Sequence, residues 1–311
     1  MTPDPHFIYL GKNHQEALSR LIYGIWQKKG FIAMTGEVGT GKTTLIHYLL
    51  NKLSGVEHTK TAFLFNPKLP VNDFFAYILK DLGVNGHGST KGDYVHALYQ
   101  ELLQAYQKGQ RVVLFVDEAQ GLSPELLEEI RLLSNLETGT SKLLQIVLIG
   151  QPELNKTLLK PEFRQLRQRI NLRYHLQPLS EKETKEYIQK SLRIAGAKRS
   201  VFTKQAIKEI YRYSGGMPRM INILCDNSLL GGYSSNRRII DKKLVKEAAK
   251  ELQLTKGFLE TRGWILLAIF VIGGLLSFIL LREHLGSLGG EFWQRLQNLG
   301  GILEKWITDL F

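Results

Sequence analysis

Eight residues, Gly36-Glu37-Val38-Gly39-Thr40-Gly41-Lys42-Thr43, constrain this chain more than any other stretch. Glycines at this spacing free the backbone to turn successive N–H groups toward one anion. A short apolar run, Phe31 to Thr35, precedes the loop and reads as a buried strand. A helical pattern from Lys42 to about Leu53 follows it, with Thr44 in its first turn, and the helix start adds its positive end. Strand, glycine loop and helix in that order predict a triphosphate cradle, in which Lys42 reaches the β- and γ-phosphates and Thr43 ligates Mg²⁺. The expected ATP-binding set is therefore Gly36, Glu37, Val38, Gly39, Thr40, Gly41, Lys42, Thr43 and Thr44. A chance glycine-rich turn would have neither the strand before it nor the helix after it.

A second signal lies downstream, where the apolar run Val112-Val-Leu-Phe-Val116 ends in Asp117 and Glu118. Alone, two acids at a strand end could be no more than a solvated turn. With a phosphate loop upstream, Asp117 is expected to hold the Mg²⁺, directly or through water. Glu118 is expected to polarise the attacking water as general base.

The rest of the first half alternates in period. Ala62–Phe65, Leu144–Ile149 and a weaker run near Asn171–Leu176 read as further strands. Helical patterns near Gln15–Lys28, Val71–Leu82, Tyr94–Gln107, Pro124–Leu136 and Pro161–Gln168 surround them. Alternation of this kind predicts right-handed βαβ crossovers and an α/β fold, a parallel P-loop NTPase sheet covered on both faces. After Pro178 the strand signals stop. Ser180 with Glu183 makes a capping box, and Thr203, Met217 and Asp241 stand at the starts of further helical stretches. The expected division is a P-loop core over 1–177 and a small helical lid over 178–254.

Trp264 to Leu281 is a run of 18 residues without a charge, bracketed by Arg262 and Arg282. As a helix it would be about 27 Å long, close to the hydrocarbon thickness of a bilayer. A core helix of a soluble domain usually keeps a polar face, and this run has none. It is expected to be a transmembrane helix, with 255–263 a basic juxtamembrane linker and 282–311 a short amphipathic tail. Lys242, Lys243, Lys246, Lys250, Lys256 and Arg262 crowd its N-terminal side. The positive-inside rule then places the first 263 residues in the cytoplasm and the tail outside. No signal peptide is read at the polar, proline-rich start.

The net charge is +12. Residues 263–311 hold three cations (Arg282, Arg295, Lys305) against four acids, so the first 262 residues carry an excess of +13. Such an excess favours an anionic partner: nucleotide, an acidic membrane face or nucleic acid. The single cysteine, Cys225, excludes an intrachain disulfide and is expected to serve buried packing.

With these features together, the chain resembles AAA+ ATPases, and among them the general secretion pathway protein A group and its relatives in pilus biogenesis and exopolysaccharide export. The segments that carry the resemblance are GEVGTGKTTL at 36–45, VDEAQ at 116–120, IRLLSNLET at 130–138, IGQPEL at 149–154, FRQLRQRI at 163–170 and SGGMPRMIN at 214–222. The resemblance spans about residues 1–250 and implies further roles. Gln151 matches sensor 1, which contacts the γ-phosphate or the water. Arg169 matches an arginine finger reaching a neighbouring subunit's ATP, with Arg164 and Arg167 as competitors. Arg219 matches sensor 2 on the lid. It also implies a homo-oligomer, with a ring among the forms open to it, at the bacterial inner membrane with an envelope-machine protein as partner. Transposition helpers and replication initiators share this core, so a nucleic-acid role stays open as the alternative. Two departures stand out. No aromatic lead-in precedes Thr2-Pro-Asp-Pro-His-Phe-Ile-Tyr-Leu10, and only about 30 residues follow the apolar run, which leans toward the pilus-biogenesis relatives.

Overall fold

The structure, a computed structural model, describes residues 8–54, 58–84, 88–139, 141–254 and 273. Its strands are β1 (Phe31–Gly36), β2 (Thr59–Leu64), β3 (Arg111–Val116), β4 (Leu144–Gly150) and β5 (Ile170–Leu176). They form one sheet in the order β2-β3-β4-β1-β5, and every pairing is parallel. The reason lies in the residues. β1, β3 and β4 are mostly apolar and buried along nearly their whole length, so both faces must be covered, and only crossover connections carry the helices needed to cover them.

The covering helices are α1 (Lys12–Trp26), α2 (Lys42–Ser54), α3 (Val71–Asp81), α4 (Lys91–Gln107), α5 (Pro124–Leu133), α6 (Pro152–Leu159) and α7 (Arg164–Arg169). Side chains alternate between two cores, as the pleat requires. Phe31, Ala33, Leu114, Val116, Ile146 and Leu148 join the core that includes α3, α4 and α5. Ile32, Met34, Val113, Phe115, Val147 and Ile149 join the other, against α1 and α2. The strand read as weaker, β5, lies at the sheet edge. Its alternate residues Asn171, Arg173 and His175 are exposed, so it alternates where the inner strands do not.

Boundaries shift from the sequence expectations by a few residues. α1 begins at Lys12 and α4 at Lys91, where Thr90 and Asp93 form a capping box. The helix expected over Pro161–Gln168 is a single 3-10 turn, Pro161–Phe163, followed by the short α7, and α6 precedes it unforeseen.

Beyond β5 the described residues are helical: α8 (Glu181–Ile194), α9 (Lys204–Ser214), α10 (Pro218–Ser234) and α11 (Lys242–Glu251). The starts read at Ser180, Thr203, Met217 and Asp241 are the observed caps. The described residues up to Leu252 form one compact unit with the sheet. Among the described residues no helix is long and apolar enough to cross a membrane. The linker, the expected span at 264–281 (Gly273 apart) and the tail lie outside the described residues, as does the start of the chain before Ile8.

The turn joining α9 to α10 fastens these helices to the sheet. Gly215 and Gly216 both have positive φ, and the Gly216 carbonyl accepts from Leu179 N at 2.9 Å. A β-carbon on Gly216 would lie 1.9 Å from the Leu179 carbonyl oxygen. Gly216→Ala is therefore expected to destabilise the fold by about 3 kcal/mol, from the left-handed backbone and the displaced strand exit together. Urea unfolding of the variant beside the parent checks this, and an unchanged midpoint would contradict it.

Candidate active site

Parallel strands end on the same side, so the sheet order decides which chain segments meet. β4 lies between β1 and β3, and the three strands deliver the 36–43 loop, Gln151 and Asp117-Glu118 side by side. Open α/β sheets bind ligands at such carboxyl ends.

The loop has the conformation expected of an anion nest. Gly39 and Gly41 have φ of +84° and +94°, and the amides opening α2 have no intrahelical acceptor. Thr40 braces the turn, its Oγ1 donating to the Glu37 carbonyl at 2.9 Å. The buried Lys42 folds back over the loop, with Nζ donating to the carbonyls of Gly36 at 2.7 Å and Glu37 at 3.0 Å. Burial holds its ammonium below the usual lysine value, while Glu118, Asp117 and Glu37 pull the other way. A lysine so placed has weak neutral partners to exchange for phosphate oxygens.

Thr43 Oγ1 donates to Asp117 Oδ2 at 2.8 Å, and Asp117 Oδ1 accepts from the Glu118 amide at 2.8 Å. Asp117 is buried at the end of β3. Among the described residues no group of three metal-ligating side chains occurs. A hydroxyl with one carboxylate fits Mg²⁺, which keeps several waters and takes substrate phosphates as ligands, and does not fit an all-protein cage.

Glu118 adopts a left-handed backbone conformation, φ 50°, which costs a non-glycine residue about 1–3 kcal/mol and points its carboxylate into the cleft. Two glutamines hold that carboxylate. Gln151 Nε2 donates to Glu118 Oε2 at 3.1 Å, and Gln120 Nε2 donates to the same oxygen. Gln120 Oε1 in turn accepts from the Gln151 amide at 2.9 Å. Gln120 was missed by sequence reasoning as a site residue, although it closes the VDEAQ segment.

Arg219 lies across the loop from Lys42. Its amide donates to the Gly39 carbonyl at 3.3 Å, and a β-carbon on Gly39 would come within 2.9 Å of Arg219 Cβ. Between the loop and the helical layer opens a cavity of about 1100 Å³ whose lining includes Lys42, Thr43, Thr44, Glu118, Gln151 and Arg219. Its far wall includes Tyr187, whose hydroxyl donates to Asn222 Oδ1 at 2.8 Å, and Cys225, whose thiol burial pushes up to about 12. Cys225 is half-buried on that wall rather than enclosed in a core as the sequence reading expected. Arg164, Arg167 and Arg169 do not line this cavity. Arg169 Nη1 donates to Asn135 Oδ1 at 2.7 Å and to Ser134, and Arg167 Nη1 contacts the Leu159 carbonyl at 3.5 Å.

With this geometry in place, comparison with known proteins finds an AAA domain within the core. Residues 25–158 match a model of the AAA domain. The chain carries an AAA domain. It is 41% identical over 253 residues to general secretion pathway protein A of Aeromonas hydrophila, which covers 81% of this chain. The chain spans 46% of that relative's length. Among solved structures, Cdc6p of Pyrobaculum aerophilum superposes with TM-score 0.63 at 16% identity, over 80% of this chain and 70% of that one. The Thermotoga maritima RuvB branch migration motor gives 0.51 at 20% identity, over 78% and 70%. At such identities the likeness is one of fold.

His14, also missed by sequence reasoning, buttresses the AAA loop from α1. It is buried, and its Nε2–H donates to the Thr40 carbonyl at 2.9 Å, leaving Nδ1 without a partner among the described residues. Burial lowers its pKa, against the Thr40 bond and the charge of Glu183. The unfolded chain therefore binds a proton that the folded chain resists. The stability linked to His14 is complete above about pH 6.5 and falls as the pH drops below it. His14→Gln is expected to flatten that acid limb of the urea midpoint against pH. An acid limb as steep in the variant as in the parent would exclude His14 as its source.

Proposed function

We propose that this chain binds ATP with Mg²⁺ at the 36–43 loop and hydrolyses it, as a membrane-anchored AAA+ protein serving a secretion or pilus-type envelope machine. The observation that carries the catalytic part is the Thr43–Asp117 hydrogen bond at 2.8 Å, beside a Glu118 carboxylate aimed into the cleft. That pair would hold the Mg²⁺, which supplies charge neutralisation at the β- and γ-phosphates. The loop amides and Lys42 bind the phosphate oxygens. Glu118 accepts the proton of the attacking water through Oε1 or Oε2. Gln151 and Gln120 orient that carboxylate and release it when substrate offers Gln151 a better partner. Arg219 closes from the helical side, so that nucleotide state and lid position are coupled through Gly39.

Arg169 is proposed as the finger for a neighbouring subunit's ATP. Its supports, Ser134 and Asn135, lie at the end of α5, outside the cavity that this chain supplies for its own nucleotide. Homo-oligomerisation follows from that reading. The envelope setting rests on the likeness to general secretion pathway protein A and on the apolar run 264–281, with the AAA unit cytoplasmic and the tail periplasmic. A division into core, 1–177, and lid, 178–254, follows the change from strand to helix after Leu176. The nucleic-acid alternative is supported by the basic charge alone, since the Cdc6p and RuvB likenesses concern fold.

Lys42→Ala is expected to lose nucleotide affinity, while Glu118→Gln keeps it and loses turnover by about 10²–10⁴-fold. Equilibrium binding of a fluorescent ATP analogue with and without Mg²⁺, beside phosphate release, separates the two. Undiminished phosphate release in Glu118→Gln would remove it as base. Arg169→Ala should bind normally and turn over slowly, and mixing it with Glu118→Gln subunits should restore part of the activity. No recovery in the mixture would count against a shared site.

A further inference from the structure

The sheet has a second end, where the strands begin, and the AAA reading assigns it nothing. Three exposed aromatic residues stand there, Tyr23 and Trp26 in the last turn of α1 and Tyr106 in the last turn of α4, each beneath a cation. Arg111 at the start of β3 lies with Cζ 4.1 Å from the Trp26 ring centroid. Lys28 Nζ lies 5.5 Å from the Tyr106 ring, and Lys29 Nζ lies 5.9 Å from the Tyr23 ring. Trp26 and Tyr106 are each 37% exposed and Tyr23 is 52% exposed, high values for such large rings.

The charge at this end does not cancel. Lys60 in β2 and Lys142, two residues ahead of β4, also lie at this end, but each is neutralised, by Glu101 at 2.6 Å and by Glu137. Lys28, Lys29 and Arg111 have no carboxylate partner among the described residues. Lys52 and Lys108, in the last turn of α2 and just past α4, add two more cations to the same end. The one acid that sequence places in these connections, Glu57, lies outside the described residues.

We propose that this end of the sheet docks on an anionic phospholipid surface. Tryptophan and tyrosine suit the headgroup layer, where an apolar ring meets water, and the lysines and arginine around them answer phosphate charge. Nucleic acid offers the same phosphates, but it binds aromatics by stacking a base on an open ring face. Here the rings are covered by the chain's own cations and stand on α1 and α4 rather than in a row. The surface faces away from the nucleotide cleft, so docking leaves ATP exchange free. It differs in kind from the apolar run at 264–281, being polar, peripheral and dependent on lipid charge.

The test uses the full chain and Trp26 as its reporter. The chain is combined with phosphatidylcholine vesicles, with or without phosphatidylglycerol, containing lipids brominated high on the acyl chain. Fluorescence lost on Trp26→Phe isolates the Trp26 component. Bromolipid is expected to quench that component several-fold more in phosphatidylglycerol vesicles, and Lys28→Glu with Lys29→Glu should abolish the difference. ATP hydrolysis in detergent should be unchanged by the pair, which separates lost docking from lost fold. Equal quenching in both vesicles, or none, would overturn the proposal. So would tight binding of a labelled single-stranded oligonucleotide that the same pair abolishes while lipid leaves Trp26 unquenched.

Discussion

One hydroxyl-to-carboxylate contact ties this fold to its chemistry. Thr43 lies in the first turn of α2 and Asp117 directly follows β3, yet their side chains are 2.8 Å apart because β1, β4 and β3 are neighbours in one sheet and all three strands run in one direction. The contact requires the phosphate loop to turn back toward the sheet, and that turn requires positive φ at Gly39 and Gly41. A register slip in β3 would move Asp117 by a residue and reverse the face of every side chain along the strand. The two cores hold the register. Val113 and Phe115 fit one layer, Val112, Leu114 and Val116 the other, and neither set has polar members to exchange.

Groups around that contact are held in states that ligand would relieve. Lys42 is buried on two carbonyls, Glu118 stands in a strained backbone conformation restrained by two amides, and His14 Nδ1 has no partner among the described residues. Strain and desolvation concentrate where a protein trades stability for a ready site. The helical layer shares this logic. Arg219 reaches the loop by its own amide, and Gly216 hydrogen-bonds the strand exit at Leu179, so α10 cannot shift without disturbing Gly39.

What sequence made legible follows from which interactions are local. The loop, the Asp117-Glu118 pair and the helix caps at Ser180, Thr203 and Asp241 are written in neighbouring residues, and each was found. Inner strands were found because burial on both faces leaves a mostly apolar run, broken in β4 only by the buried Gln145. β5 was faint because one face of an edge strand is polar, and α6 was missed because eight residues after a glutamine cap give too few turns for a period to emerge. Gln120 and His14 escaped for a different reason. Their partners, Gln151 and Thr40, are distant in sequence, and nothing in a lone glutamine or histidine announces a partner across the sheet. Arg169 was named from a family pattern, and its contacts to Ser134 and Asn135 could not have been read from spacing.

The two ends of the sheet divide the work by a simple asymmetry. Parallel strands deliver backbone N–H groups and helix starts to one end, where a compact anion can be enclosed. The opposite end receives helix C-termini, whose partial negative charge attracts lysine and arginine. Lys28 and Lys108 occupy such positions just after α1 and α4, and Lys52 lies in the last turn of α2. The basic surplus read from composition is therefore more than general solubility. Part of it is built into the crossover geometry, and the exposed rings of Tyr23, Trp26 and Tyr106 turn that part into a surface.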